Sequence, residues 1–127
     1  MKLNHIGIVC RSALSGDRFY RDLLGLEKRR ERTVSKEMIQ AIFNIDHEAR
    51  IIDYGNEQMF LEVFIIPEIE EHHPVSHLCL EVKNRPAFLK QCAAMGFGVR
   101  QIPKTDGTAI VFVNDDDGNQ YEIKEQP

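Results

Sequence analysis

The sequence predicts an α+β fold made of two copies of one unit, each running strand, helix, strand, strand, strand. Three observations predict it. A strand-like run with a single histidine occurs twice, about half the chain apart: "LNHIGIVC" at 3–10 with His5, and "VSHLCLEV" at 75–82 with His77. A helix-ending glycine follows each histidine at nearly the same distance, Gly25 lying 20 residues after His5 and Gly96 lying 19 after His77. A Gly–Asn turn, at 55–56 and again at 118–119, then precedes a strand with a glutamate inside it, Glu62 in "FLEVF" and Glu122 in "QYEIK".

Each element has its local reason. Residues 3–10 hold Leu3, Ile6, Ile8 and Val9 around Gly7, the composition of a buried strand. Ser12 or Ser15 can cap the next helix, because a hydroxyl accepts a bond from an orphan amide. "GDRFYRDLLG" places Phe19, Tyr20, Leu23 and Leu24 on one side, and Gly25 suits a left-handed stop. A charged strand, "EKRRER", follows near 26–33 and reads as a solvated face. "SKEMIQAIFNI" (35–45) reads as a short helix capped by Ser35, with Met38, Ile42 and Phe43 apolar. "ARIIDYG" and "QMFLEVFII" are strands turning at Gly55–Asn56. In the second half Asn84 caps a helix with Pro86 near its start and Phe88, Cys92 and Met95 on one side. Three strands follow, "GVRQIP", "AIVFVND" and "NQYEIKE", with turns at 105–107 and 117–119. "PEIEEHHP" (67–74) has prolines at both ends and reads as a linker, so 1–127 is one domain of two modules, about 1–66 and 75–127.

The bulk properties exclude several classes. The 127 residues suffice for one domain with a core, and 43% hydrophobic with 28% charged residues is ordinary for a globular chain. A net charge of −4 with scattered positives argues against a nucleic-acid partner. No apolar run approaches the ~18 residues of a membrane span, and the start lacks a signal peptide's apolar stretch. Three cysteines without a CxxC spacing suggest reduced thiols and a cytoplasmic protein. Cys79 reads as a packing residue.

Strand side chains alternate between faces. His5 shares a face with Leu3, Gly7 and Val9, and His77 with Val75, Cys79 and Glu81. Leu61, Val63 and Ile65 oppose Glu62, and Tyr121 and Ile123 oppose Glu122. The apolar faces must meet the helices, so the histidines and glutamates project from the other side. If the two sheets curve around one concavity, all four converge. Carboxylates there would repel each other and be driven to protonate, and a divalent first-row cation removes the conflict. One strand histidine is more often a hydrogen-bonded structural residue, but two matching His–Glu pairs make that coincidence hard to repeat. His72 and His73, in the linker, read as solvated. "NDDDGN" (114–119) lacks the ligand spacing of an EF-hand and reads as a tight turn.

At "HIGIVC" (5–10), "FYRDLLGLE" (19–27), "LEVF" (61–64), "SHLCLEV" (76–82) and "DDDGNQYEI" (115–123) the chain resembles the vicinal oxygen chelate superfamily over essentially its whole length. That superfamily contains glyoxalases, methylmalonyl-CoA epimerases, extradiol dioxygenases and fosfomycin or bleomycin resistance proteins. The resemblance implies two βαβββ modules forming a cupped, mostly antiparallel sheet around a metal site. It implies His5, Glu62, His77 and Glu122 as ligands of one divalent ion, of nickel, cobalt, zinc, manganese or iron. It also implies a homodimer, with the cup built from one chain or shared between two. A glutamate at 62 is glyoxalase-like, since dioxygenases and fosfomycin-resistance enzymes typically use two histidines and one glutamate. Bacterial glutathione-dependent glyoxalases carry an arginine and an asparagine where this chain has Val9 and Ile66, which argues against a glutathione substrate.

The activity implied is that of a metal-dependent glyoxalase-like lyase or isomerase. It would move a proton beside a carbonyl in a small substrate chelated through vicinal oxygens. Glu122 is the expected base, with Glu62 opposite to return the proton. Phe60 and Phe64, by alternation with Glu62, and Met38 and Phe43, from the 35–45 helix, are expected to line the substrate pocket. The alternative for that helix is packing on the sheet edge. Two other readings of the whole chain are a ferrous-iron extradiol-type dioxygenase and a non-catalytic small-molecule binder.

Overall fold

In the computed structural model the described residues are 3–69 and 76–127. His72, His73 and most of the expected linker lie outside them. The chain divides into two compact units, Met1–Glu70 and Glu71–Pro127.

The first unit runs β1 (Ile6–Cys10), α1 (Ala13–Gly16), a π-helical segment (Asp17–Leu23), β2 (Glu27–Val34), α2 (Lys36–Phe43), β3 (Ala49–Gly55) and β4 (Phe60–Ile65). Its sheet has the order β1-β4-β3-β2. β1 pairs with β4 in parallel, and the other pairs are antiparallel. Of the two candidate caps, Ser12 is the one used, accepting from the Ser15 amide. The helix then widens: the amides of Leu24 and Leu26 bond the carbonyls of Phe19 and Tyr20, five and six residues back. Phe19, Tyr20 and Leu23 are buried as expected, whereas Leu24 is only half-buried. Their cover is the side of the sheet carrying Ile8, Ile52, Tyr54, Leu61 and Val63, with the Tyr20 and Tyr54 rings 5.6 Å apart.

α2 lies against the opposite side of the same sheet. Ser35 caps it through the Met38 amide, and Asn44 closes it in the left-handed conformation. Ile39 is buried with Ala49 and Ile66, and Val9, Val34 and Phe64 pack around them. Val9, Ala49 and Phe64 share the Glu62 side of the sheet by strand alternation. The short apolar helix therefore covers one end of the glutamate-bearing face rather than the sheet's edge.

The second unit repeats the plan without that extra helix: β5 (His77–Val82), α3 (Arg85–Ala94), β6 (Val99–Pro103), β7 (Ala109–Asn114) and β8 (Gln120–Glu125). Its order, β5-β8-β7-β6, and its parallel β5–β8 pair match the first unit position for position. Asn84 caps α3 through the Ala87 amide. Cys92, Val111, Val113, Tyr121 and Ile123 are buried. Burial pushes the Cys92 thiol up to about 11. Asp115 Oδ1 accepts from the amides of Asp117 (2.9 Å) and Asn119 (2.8 Å), and Gly118 has a φ of 90°, so "DDDGN" is a tight turn.

Among the described residues no helix is long and apolar enough to cross a membrane.

Candidate active site

Parallel pairing is what brings each histidine to its glutamate. In the first unit Gly7 stands opposite Glu62 in register, so His5, two residues earlier, sits diagonally from it. β1 begins at Ile6, so His5 precedes the strand rather than lying within it. Its ring still reaches: Nε2 is 3.4 Å from Glu62 Oε2. Nδ1 meets Asn4 Oδ1 at 2.9 Å, which orients the ring and leaves Nε2 toward the carboxylate. Gly7 puts no side chain between them.

The second unit reproduces this geometry. Cys79 stands opposite Glu122, and His77 Nε2 lies 3.7 Å from Glu122 Oε2. Both glutamates are 20% exposed and both histidines about 40% (42% and 38%). The His77 ring meets the edge of Phe112 at 5.5 Å. Where the first unit has Gly7 the second has Cys79, which is exposed rather than packed. It shares the side of β5 that carries His77, away from the buried faces of β7 and β8. Partial desolvation and the Glu122 carboxylate push its thiol pKa up.

Each His–Glu couple has about the spacing of two donors to one divalent cation. Two donors each ~2.0–2.2 Å from one ion, at angles between octahedral and tetrahedral, lie ~3.0–3.5 Å apart. The His5–Glu62 separation of 3.4 Å falls in that range, and the 3.7 Å of His77–Glu122 is a few tenths wider.

One residue of this site was not foreseen from sequence. Arg32 Nη2 donates to Glu62 Oε1 at 2.8 Å, and its Nη1 lies 3.0 Å from both oxygens of Asp53. Asp53 stands opposite Glu62 in the β3–β4 ladder and is 5% exposed. Desolvation would lower the Arg32 pKa, but the Asp53 and Glu62 carboxylates outweigh it and the shift is upward. Glu62 thus already has one cation beside it, and its two oxygens are divided between Arg32 and His5. The signal that could have revealed this was Asp53 itself, a charge between Ile52 and Tyr54 in an apolar strand, which demands a partner.

The aromatic expectations divide. Phe60 and Phe64 flank Glu62 on its own side of β4 by strand alternation, and Phe43 packs edge-on to Phe64 at 5.3 Å. An open pocket of about 410 Å³ is lined by His5, Ile6, Arg29, Asn56, Met59 and Phe60, among others. Of the four residues expected to line a substrate pocket, Phe60 borders this one; Phe64, Phe43 and Met38 do not, and Met38 is 51% exposed.

The chain is thus a doubled α+β unit, each copy a four-stranded mixed sheet with a histidine beside a glutamate. The model of the Glyoxalase/Bleomycin resistance protein/Dioxygenase superfamily matches residues 2–123, and the chain belongs to that family. Among solved structures it is similar to a glyoxalase family protein from Enterococcus faecalis, at 19% identity and a TM-score of 0.74, with 96% of this chain and 95% of that one covered. It is also similar to the fosfomycin resistance protein FosX from Listeria monocytogenes, at 11% identity and a TM-score of 0.73, with 100% and 94% covered. A variant of that FosX, in complex with Mn(II) and 1S,2S-dihydroxypropylphosphonic acid, matches at 11% identity and a TM-score of 0.72, with 97% and 88% covered. No curated protein matches.

Proposed function

We propose that the protein is a metal-dependent lyase or isomerase that transfers a proton beside a carbonyl in a small substrate with two neighbouring oxygens. The observation that carries this reading is the repeated Nε2–Oε2 couple, 3.4 Å in one unit and 3.7 Å in the other, at equivalent places in two parallel strand pairs. His5, Glu62, His77 and Glu122 would together hold one divalent ion, in a site built by one chain or shared by two. That ion supplies Lewis acidity, which stabilises negative charge on the substrate oxygens.

The chain's own groups do the rest. Glu122 takes the proton from the carbon beside the carbonyl, which as a positioned base is worth ~10²–10⁴ in rate. Phe60 and Phe64, on either side of Glu62, give that carboxylate an apolar border that limits water. The pocket beside His5 offers Asn56 and Arg29 to a polar substituent. The Mn(II) and dihydroxyphosphonate held by the FosX variant are compatible with vicinal-oxygen chemistry on this fold.

The test is a metal analysis of untagged protein, followed by exchange of substrate C–H for deuterium in heavy water. Small α-hydroxy and α-keto carbonyl compounds serve as the panel. The reading requires about one first-row metal per site and metal-dependent exchange that disappears in Glu122→Gln. Oxygen consumption with catechols and no exchange would instead establish the dioxygenase. Ligand binding unaffected by chelator would establish a metal-free binder.

A further inference from the structure

The two glutamates are held differently. Glu62 Oε1 accepts a 2.8 Å bond from Arg32 Nη2, while Oε2 faces His5 Nε2. The same guanidinium places its other terminal nitrogen 3.0 Å from both Asp53 oxygens. Its plane is therefore fixed at two points, one of them a carboxylate whose side chain is 7% exposed. Among the described residues no cation restrains Glu122 comparably. Its Oε1 lies 3.6 Å from the ammonium of Lys124, beyond hydrogen-bond range, on a side chain that is 58% exposed.

An arginine near a substrate site usually suggests an anchor for an anionic substrate. The charges oppose that here. One guanidinium stands between two carboxylates, so the cluster is already net negative and has no attraction to spare for a third anion. The fork geometry suits a different task, holding one carboxylate oxygen still while the other is offered elsewhere.

We propose that Arg32, braced by Asp53, is a positioning residue that presents Glu62 to a divalent cation through Oε2 alone. The proposal rests on the reading of His5 and Glu62 as cation ligands. It divides the labour: Glu62 is the fixed donor, and Glu122 is the carboxylate free to leave, take the proton and return it.

The test is a double-mutant cycle on the full chain, stripped with chelator and titrated with Co²⁺. Affinity is read by calorimetry and ligand field by visible absorption. Arg32→Gln removes the fork and releases Oε1, so the absorption of bound Co²⁺ changes in band position or intensity. If Arg32 acts through Glu62, the effect of Arg32→Gln on Kd is largely lost in the Glu62→Gln background. The non-additivity expected is about fivefold or more. Additive effects, or an unchanged spectrum in Arg32→Gln, overturn the proposal. So does Arg32→Lys behaving like the parent, because a lysine keeps the charge without the fork. If Arg32→Gln does not fold, the same cycle is run with Asp53→Asn, which loosens the brace and keeps the guanidinium. Glu62→Gln with unchanged Co²⁺ affinity, or no Co²⁺ uptake at all, defeats the ligand reading as well as the proposal. Additivity with a strong Glu62→Gln effect defeats only the role of Arg32.

Discussion

Arg32 and Glu62, 30 positions apart in the chain, meet at 2.8 Å on the side of the first sheet opposite α1 and the π-helical segment. The contact depends on a single irregularity in β2. Lys28 pairs with Tyr54, but Glu31 pairs with Ile52 and Arg32 with Ile51, so one extra residue is inserted between Lys28 and Glu31. Continued without that bulge, the Lys28 register would set Arg32 opposite Arg50, on the side of the sheet that carries Ile52 and Tyr54. The bulge reverses the parity of the strand beyond it and turns Arg32 toward Asp53 and Glu62.

Removing Arg32 without replacing its charge should destabilise the fold. Arg32→Met strands the Asp53 carboxylate in a nearly dry position beside Glu62. Because the Arg32 side chain is itself 24% exposed, the expected cost is moderate, about 1–3 kcal/mol. Urea unfolding at neutral pH measures it, and Arg32→Met combined with Asp53→Leu should recover part of the loss. A single variant as stable as the parent would show that water satisfies Asp53.

Acid should weaken the first unit through Asp17. Its carboxylate accepts from the Tyr54 hydroxyl at 2.6 Å and from Lys28 at 3.3 Å. Desolvation alone would raise its pKa, but those hydrogen bonds outweigh it, and the value falls below the ordinary 3.8. A depressed carboxylate contributes stability above its unfolded-state pKa and loses it as pH falls through the folded-state value. The loss therefore lies below about pH 4. Asp17→Asn should flatten the stability-versus-pH curve in that acid range, and equal slopes for the two proteins would count against it.

Cation binding should be visible as heat stability. A ligand held only by the native state at a hundred times its Kd adds about 2.7 kcal/mol. Scanning fluorimetry with nickel, cobalt, manganese or zinc should raise Tm for the parent and raise it much less for His5→Ala and His77→Ala. An identical shift in both variants would mean the metal binds elsewhere.

Thiol reactivity should separate the three cysteines. Cys79 is exposed, and Cys10 and Cys92 are buried. One thiol per native chain should react with an aromatic disulfide reagent, slowly at neutral pH because the Cys79 thiol is held above its ordinary pKa. Denaturant should release the other two. Peptide mapping that finds Cys92 labelled first would contradict the packing of α3.

The Phe43–Phe64 contact should matter more for ligands than for stability. Phe43 is 48% exposed, so Phe43→Ala should cost only about 1 kcal/mol. If α2 borders the substrate, KM should rise with kcat nearly unchanged. Unchanged KM would leave α2 as a cover for the sheet alone.

Much of this architecture could be read from local chemistry. The serine and asparagine caps, the left-handed glycines at 25 and 96 and the Gly–Asn turns announce themselves within a few residues. So does the face on which Glu62 and Glu122 lie, because alternation along an uninterrupted strand preserves parity. Duplication supplied the rest, since a His–Glu couple seen twice at equivalent places is more informative than either couple alone. Only the folded chain decided that Glu62 shares its carboxylate with Arg32, that α2 lies over the glutamate-bearing face, and that Cys79 stands open beside Glu122. Each of these depends on how distant segments register against one another. A bulge that shifts a strand by one residue leaves no mark on local composition, yet it determines which side of the sheet the later side chains of that strand occupy.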